Sequence, residues 1–439
     1  MTTYDTTLTA PETAETMSPA SRRAVFAASF GTFVEYYDFV IYGFMATILA
    51  GLFFPGDDPV TSLIITFGAY AVSYFVRPLG AILISPIGDI YGRKTLLVVV
   101  IALMSIPTAL IGMLPTYATI GIWAPILLTL CRMLQGLSAG AEYGGASALV
   151  VEYAPARSRG YYSGYLMLTI SLAMAVGMGL GLFIMTATST EMMREWGWRI
   201  PFLMAIPLGL IGLYIRLRLE ETPVFQEVAQ RTPHKKKTPL RTTITRDWPA
   251  VLVGMGVAAT HIVTASILYL YVPAHMIRFL GYAPQTAMTI ALGGLLVWTI
   301  CMLPMAALTD RWGRKPVALL GSLGLLVLFY PVYMAFSAGP VAAAIALAVA
   351  SPFASMASAS LSPMFAEMFK TDNRSTGINL GWQFSTLIFA GPAPMIAMWL
   401  LSRSGNVNAP ALFAMACICC TLIALMFIKE TKGIDLSKT

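Results

Sequence analysis

Twelve apolar stretches, most of them long enough to cross a lipid bilayer, follow one another along this chain with little between them. They fall at about 24–53, 61–87, 94–114, 120–152, 157–187 and 198–219, then at about 249–279, 285–309, 314–336, 340–369, 373–402 and 408–428. A spanning helix uses about 20 residues, so twelve with short loops account for roughly 400. The chain has 439, which leaves no room for a sizeable soluble domain. Composition agrees: 57% of residues are hydrophobic and 11% charged, against about 25% charged in ordinary soluble domains. The sequence predicts an all-α membrane protein of twelve transmembrane helices.

One long polar stretch interrupts the series and divides it six and six. The predicted organisation is a disordered cytoplasmic tail over 1–20, a first six-helix half over 21–219, a cytoplasmic linker over 220–248, a second half over 249–429 and a tail over 430–439. Orientation follows from the basic residues, which concentrate on the cytoplasmic side of membrane proteins. With the N-terminus inside, 22 of the 28 Lys and Arg lie on the inner side and only Arg194, Arg199, Arg278 and Arg403 on the outer. Both termini are therefore expected in the cytoplasm. No cleavable signal peptide is expected, because the first apolar run contains Glu35 and Asp38 and continues past Phe53.

The net charge of +7 does not indicate a nucleic-acid partner, because the basic residues sit at the ends of apolar segments. The Lys235-Lys236-Lys237 run reads as part of a solvated linker. All five cysteines lie in apolar runs without metal-ligand spacing, so neither a metal nor a cofactor is expected. No phosphate-binding loop and no Gly-x-Ser-x-Gly turn occurs. The chain does not read as an enzyme, and energy for transport must come from an ion gradient or the solute's own.

The halves repeat. Asp89-Ile90-Tyr91-Gly92-Arg93-Lys94 follows the second span, and Asp310-Arg311-Trp312-Gly313-Arg314-Lys315 follows the eighth. Glu152 precedes Arg159 by seven after the fourth span, as Glu367 precedes Arg374 after the tenth. Gly92 and Gly313 permit tight turns, and each aspartate is placed to accept from the next helix's N-terminus. Asp89, Arg93, Asp310 and Arg314 are the expected members of a latch that breaks as the halves rock. Glu152 with Arg159, and Glu367 with Arg374, are expected to add to it.

Five ionisable residues lie deep in the first half: Glu35 and Asp38 on one helix face, Arg77, Arg132 and Glu142. Each costs roughly 2.5–3.5 kcal/mol to insert and usually faces a cavity. They sum to −1, so one carboxylate is left short of a partner, as a proton-carrying site requires. Glu35 and Asp38 are equal candidates for the proton, and Glu142 couples to it or pairs with Arg132. The second half has almost no buried charge, and offers His261, Tyr269, Trp382 and Gln383 among its polar and aromatic groups. With Tyr36, Arg77 and Arg132 these are the candidate substrate contacts, suited to a small polar anion or zwitterion.

Several motifs resemble those of the major facilitator superfamily, and within it the metabolite:H+ symporters. The loop Ser85-Pro86-Ile87-Gly88-Asp89-Ile90-Tyr91-Gly92-Arg93-Lys94 and its second copy resemble the superfamily motif, with Ser85 and Ala306 in place of its first glycine and Ile90 in place of a basic residue. Glu35-Tyr36-Tyr37-Asp38, Arg77-Pro78-Leu79-Gly80, Arg132-Met133-Leu134-Gln135-Gly136, Glu142-Tyr143-Gly144-Gly145, Trp196-Gly197-Trp198-Arg199-Ile200-Pro201-Phe202 and Glu220-Glu221-Thr222-Pro223-Val224-Phe225 resemble the narrower family. The resemblance covers about 24–435 and implies alternating access with proton symport of small carboxylates such as α-ketoglutarate, citrate or shikimate, or of proline and betaines. Span five, with Gly177-Met178-Gly179-Leu180-Gly181, lacks the Gly-Pro motif of the drug antiporters.

The expectation is a monomeric proton–organic acid symporter in a bacterial inner membrane, with lipid, protons and the solute as its partners. A proline or betaine symporter ranks second, because the tail ends at Thr439 whereas some osmosensing relatives carry a coiled-coil extension. A non-transporting membrane sensor is the remote alternative.

Overall fold

The computed structural model describes residues 19–84, 93–217, 239–370 and 373–434. Asp89 and most of its loop, the greater part of the linker, most of the N-terminal tail and residues 435–439 lie outside these residues, as does the Arg93 side chain. Twelve long helical segments cross the bundle. The first six are α1 (Pro19–Phe53), α2 (Pro59–Leu83), α3 (Arg93–Met113), α4 (Trp123–Tyr153), α5 (Arg159–Ala187) and α6 (Met193–Leu217). The second six are α7 (Trp248–Phe279), α8 (Pro284–Trp312), α9 (Arg314–Ala338), α10 (Pro340–Met368), α11 (Arg374–Ser404) and α12 (Ala409–Met426).

Eleven of these are long and apolar enough to span a membrane on composition alone. The twelfth, α4, is buried over most of its length and carries Arg132, Gln135 and Glu142, which lowers its mean hydropathy. An inward-facing helix can hold such groups because protein, not lipid, surrounds it. On the outside, Phe26, Phe75, Phe183, Ile300, Val327 and Met426 are exposed, as a lipid-facing surface requires.

The two halves use one packing plan. α2 lies against α4, α1 against α5 and α3 against α6; α8 lies against α10, α7 against α11 and α9 against α12. Each pairing recurs six helices later, as a duplicated bundle demands. Across the halves, α5 packs on α8, and α11 packs on α2 and α4.

α2 and α4 approach each other closely. A Cβ on Gly136 would overlap the Ser73 carbonyl, one on Gly140 the Arg77 carbonyl, and one on Gly80 the Leu137 carbonyl. Such small residues let helix backbones touch, which substitutes for the hydrophobic driving force that lipid cannot supply. Two helices are locally widened to π-helix, Met193–Gly197 in α6 and Ala265–Tyr271 in α7. Such bulges re-aim side chains and are frequent at functional sites.

The α2–α4 contact yields a direct test. Gly140→Val forces the helices apart, with an expected loss on the order of 1–3 kcal/mol, read as a lower melting temperature in detergent. A Val substitution at the lipid-side Gly68, where an added Cβ meets nothing, leaves the midpoint unchanged.

Candidate functional site

The first half holds three buried carboxylate–arginine pairs, not the unbalanced set of five charges expected from the sequence. Asp38 in α1 meets Arg132 in α4 at 3.2 Å and also accepts from Gln135 Nε2 at 2.8 Å. Gln135 Nε2 reaches Thr108 Oγ1 at 2.9 Å as well, which fixes the amide. Glu142 pairs with Arg216 of α6, and Arg216 also donates to the Leu97 carbonyl. Arg216 ends the sixth apolar run and reads in sequence as an orientation charge, but its side chain turns inward and is fully buried. The missing Cβ of Gly31 makes room for this pair. Glu142 therefore does not pair with Arg132, and the first-half charges balance.

Glu35 and Arg77 form the third and loosest pair, 3.7 Å apart. Glu35 is 2% exposed, and its Oε2 has no hydrogen-bond partner among the described residues. A buried charge short of hydrogen bonds carries a desolvation cost that a fully satisfied pair largely offsets. Arg77 is further held by aromatic faces, its guanidinium carbon 4.1 Å from the Phe39 ring centre and 4.2 Å from that of Tyr74.

Arg77 opens onto a small central cavity of about 50 Å³, bordered by α1, α2, α5, α7 and α11. Its walls include Tyr36, Phe39, Tyr70 and Tyr74 from the first half and His261, Ser266, Trp382 and Thr386 from the second. Of the expected substrate contacts, Arg77, Tyr36, His261 and Trp382 line it. Arg132, Tyr269 and Gln383 are not among its lining residues. Arg132 sits under the rings of Phe39, Tyr42 and Tyr70. Tyr269 bonds Ser351 at 2.8 Å and stacks on Trp298, and Gln383 donates to the Ala139 carbonyl at 2.9 Å. Trp382 is itself fixed by stacking on Tyr143, with ring centres 3.9 Å apart.

A second cavity of about 670 Å³ lies between α1, α5, α7 and α8, toward the α1–α2 turn. Leu270 lines both cavities and lies where a Cβ on Gly43 would overlap it. One leucine from the second half, seated on a glycine of the first, thus separates the centre from the larger space. The π-helical stretch of α7 contains it.

At the other end the halves are tied together. Arg159 pairs with Glu367 at 3.2 Å and Arg374 with Glu152 at 3.0 Å. The expected pairings, Glu152 with Arg159 and Glu367 with Arg374, are thus exchanged: each arginine reaches the carboxylate of the opposite half. Asp310 differs too. It accepts from the backbone amides of Gly160 and Tyr161 at 2.8 Å each, capping α5 of the first half rather than the helix that follows it. Arg314 bonds Asp310 at 2.9 Å and lies 3.5 Å from Glu367.

The amides that open α9 are instead taken by Glu430, at 2.9 Å from Arg314 N and 3.0 Å from Lys315 N. Thr431 bonds Glu367 at 2.6 Å, and Arg159 donates to the Ile434 carbonyl at 3.1 Å. The segment after α12, a plain tail in the sequence reading, is part of this closure. Between it and the cavity, Gly144 N donates to Asn379 Oδ1 at 2.7 Å and Ser147 meets Ser362 at 2.8 Å. Asp89 lies outside the described residues, as does the Arg93 side chain, so the first-half copy of the latch remains an expectation. Among the described residues no cluster of His, Cys, Asp and Glu could hold a metal.

A duplicated twelve-helix bundle with a small charged chamber between its halves, tied at one end and hollow at the other, defines a carrier of small solutes. The model of the family described as "Sugar (and other) transporter" matches residues 24–243 and again 226–439. A proline/betaine transporter of Salmonella typhimurium is 36% identical over 422 residues, covering 93% of this chain and 84% of that protein. A glycine betaine/proline/ectoine/pipecolic acid transporter of Dickeya dadantii is 35% identical over 93% of this chain and 83% of its own. The shikimate transporter of Escherichia coli K12 is 32% identical, over 96% and 98%. Among solved structures, a proton:xylose symporter bound to 6-bromo-6-deoxy-D-glucose superposes with a TM-score of 0.78 at 16% identity, over 95% of this chain and 97% of that one. The chain belongs to the sugar (and other) transporter family and, within the major facilitator superfamily, to the metabolite:H+ symporters. It is a transporter and not an enzyme.

The unforeseen pair is open to a double-mutant test. Arg216→Met alone strands Glu142, with an expected loss of about 3–5 kcal/mol. Adding Glu142→Gln recovers most of it in thermal unfolding of the purified protein. A loss in the double variant equal to the sum of the two single losses would show that the two side chains do not depend on each other.

Proposed function

We propose that this chain is a proton-coupled symporter of a zwitterionic osmolyte of the proline/betaine class. The carrying observation is the charge balance at the centre. Three carboxylates are matched by three arginines, and only Arg77 of those arginines lines the central cavity. One cation facing an aromatic wall suits a solute with a single carboxylate and a positive end, which rests on ring faces. A di- or tricarboxylate would bring two or three negative charges to one arginine. The order of the two sequence readings is therefore reversed, and the relatives at 35–36% identity, named as proline and betaine transporters, support the change. A monocarboxylate remains the second reading, supported by Arg77 and by the shikimate transporter at 32% identity.

Glu35 is the proposed proton carrier. It shares a weak pair with Arg77, which lines the cavity, whereas Asp38 is held by both Arg132 and Gln135. A proton on Glu35 removes its claim on Arg77 and frees the guanidinium for the solute carboxylate, so proton and solute bind together. The Asp38–Arg132 and Glu142–Arg216 pairs keep α1, α4 and α6 in register.

The concentration of Lys and Arg supports a cytoplasmic latched end with both termini inside, and the bacterial relatives support an inner membrane. On that reading the structure is the outward-facing state, the larger cavity is the outer vestibule and Leu270 is its inner stop. Asp310, Arg314, Glu152, Arg159, Glu367 and Arg374 hold the cytoplasmic side shut, with Asp89 and Arg93 proposed to do the same for the first-half copy. The protein works as a monomer, and its halves, 21–219 and 249–429, rock about the centre joined by the 220–248 linker.

Purified protein in liposomes is expected to accumulate L-proline or glycine betaine when the outside is acidified, and to lose accumulation with a protonophore. Accumulation of citrate or α-ketoglutarate without either zwitterion would return the organic-acid reading to first place. Glu35→Gln should abolish uphill uptake while sparing exchange of solute across the membrane. Undiminished uphill uptake in that variant would remove Glu35 as the carrier.

A further inference from the structure

The second-half wall of the cavity carries a directional hydrogen-bonding group, and its polarity can be deduced. His261 lies on α7, is 3% exposed and lines the central cavity opposite Arg77. Its ring is set between Trp382, 5.6 Å away, and Trp298, 5.7 Å away, centre to centre. Its Nδ1 lies 2.7 Å from Ser358 Oγ. Ser358 Oγ in turn lies 2.7 Å from the Ala354 carbonyl, one helical turn back.

A serine hydroxyl has one proton. The Ala354 carbonyl can only accept, so Ser358 gives its proton there. Ser358 must then accept from His261, and the histidine proton sits on Nδ1. The opposite assignment would leave two acceptor oxygens facing each other at 2.7 Å. No ion pair to His261 occurs among the described residues, and a buried imidazolium without an anion would be costly. The ring is neutral, and Nε2 carries a lone pair. Nε2 makes no hydrogen bond to protein among the described residues, and it is the polar edge left for the cavity.

We infer that His261 Nε2 is the acceptor for an N–H of the solute's ammonium, and so sets the preference between N–H-bearing and fully methylated zwitterions. The inference rests on the zwitterion reading above and deepens it. The solute carboxylate goes to Arg77 of the first half and its N–H to His261 of the second, so a bound solute bridges the parts that must move together. Trp382 and Tyr36 also line the cavity, and an aromatic ring attracts a cationic group whether or not it is methylated, so they do not discriminate. Only an acceptor separates an ammonium with a proton from one without. Ser358 is a positioning residue, because it acts through the tautomer of His261.

The experiment uses a methylation series on the full-length protein in liposomes: L-proline, N-methyl-L-proline and N,N-dimethyl-L-proline, which offer two, one and no N–H. Apparent affinity for uptake is expected to hold for the first two and to fall about tenfold or more at the third, the effect of one hydrogen bond to a charged donor. In His261→Phe, which keeps an aromatic ring and removes the acceptor, the series is expected to flatten with the dimethyl compound still carried. Ser358→Ala frees the ring to change tautomer and is expected to weaken the preference partway.

An even response of the unaltered protein across the series would overturn the assignment by itself, whatever the variants do. A preference retained in His261→Phe would also overturn it. If the unaltered protein carries none of the three nor glycine betaine, the zwitterion reading fails first and this inference falls with it.

Discussion

Everything in the first half is arranged around the cost of holding ionised groups away from water. Each of Glu35, Asp38 and Glu142 has its own arginine, and no pair draws both members from one helix. Glu35–Arg77 joins α1 to α2, Asp38–Arg132 joins α1 to α4, and Glu142–Arg216 joins α4 to α6. Removing one member of such a pair leaves a charge that lipid cannot solvate, so the pairs specify which helices meet as well as holding them. The glycines at 80, 136 and 140 then set how near α2 and α4 come, and Gly31 makes room for the third pair. The Asp38 and Glu142 carboxylates accept hydrogen bonds from their arginines, whereas the looser third pair is the one whose arginine lines the cavity.

The second half is stabilised by other means, and the contrast explains a division of labour. Around the central cavity its interior polar groups are neutral, with serines bonded to the backbone, tyrosines, a histidine and an amide, and its buried charges, Arg314, Glu367 and Arg374, lie at the tied end. Neutral hydrogen bonds hold a shape without binding an ion, so under the proposed mechanism this half keeps its shape while the first changes charge state. Trp382 shows how that surface is kept still, stacked on Tyr143 of the first half and near His261 of its own.

Much of this could be read from the sequence where the signal was local. Span positions, the six-and-six division and the depth of Glu35, Asp38, Arg77, Arg132 and Glu142 follow from apolar runs interrupted by rare charges. Partner choice could not be read, because it depends on which helices adjoin. Arg216 sits at the end of an apolar run, where an orientation charge also sits, and only the packing of α6 on α3 and α1 turns it inward. The seven-residue spacing of Glu152 with Arg159 and of Glu367 with Arg374 was visible, but it suggested pairs within a half. Proximity across the interface exchanged them. Asp310 was legible as a helix-capping residue, yet the helix it caps belongs to the other half. The π-helical stretch of α7, which carries Ser266 and Leu270 to the cavity, has no sequence signal that could have announced it.

That exchange of partners has a consequence for how such a protein can change over generations. Had each half closed on its own residues, a duplicated gene could have altered one copy without regard to the other. Here Arg159 answers to Glu367, Arg374 to Glu152, and the amides of α5 to Asp310. Neither half is a free-standing module. A hybrid joining residues 1–219 to the second half of a relative would keep its seal only where the donor preserves the reciprocal charges, so compensating changes belong in the opposite half of the gene.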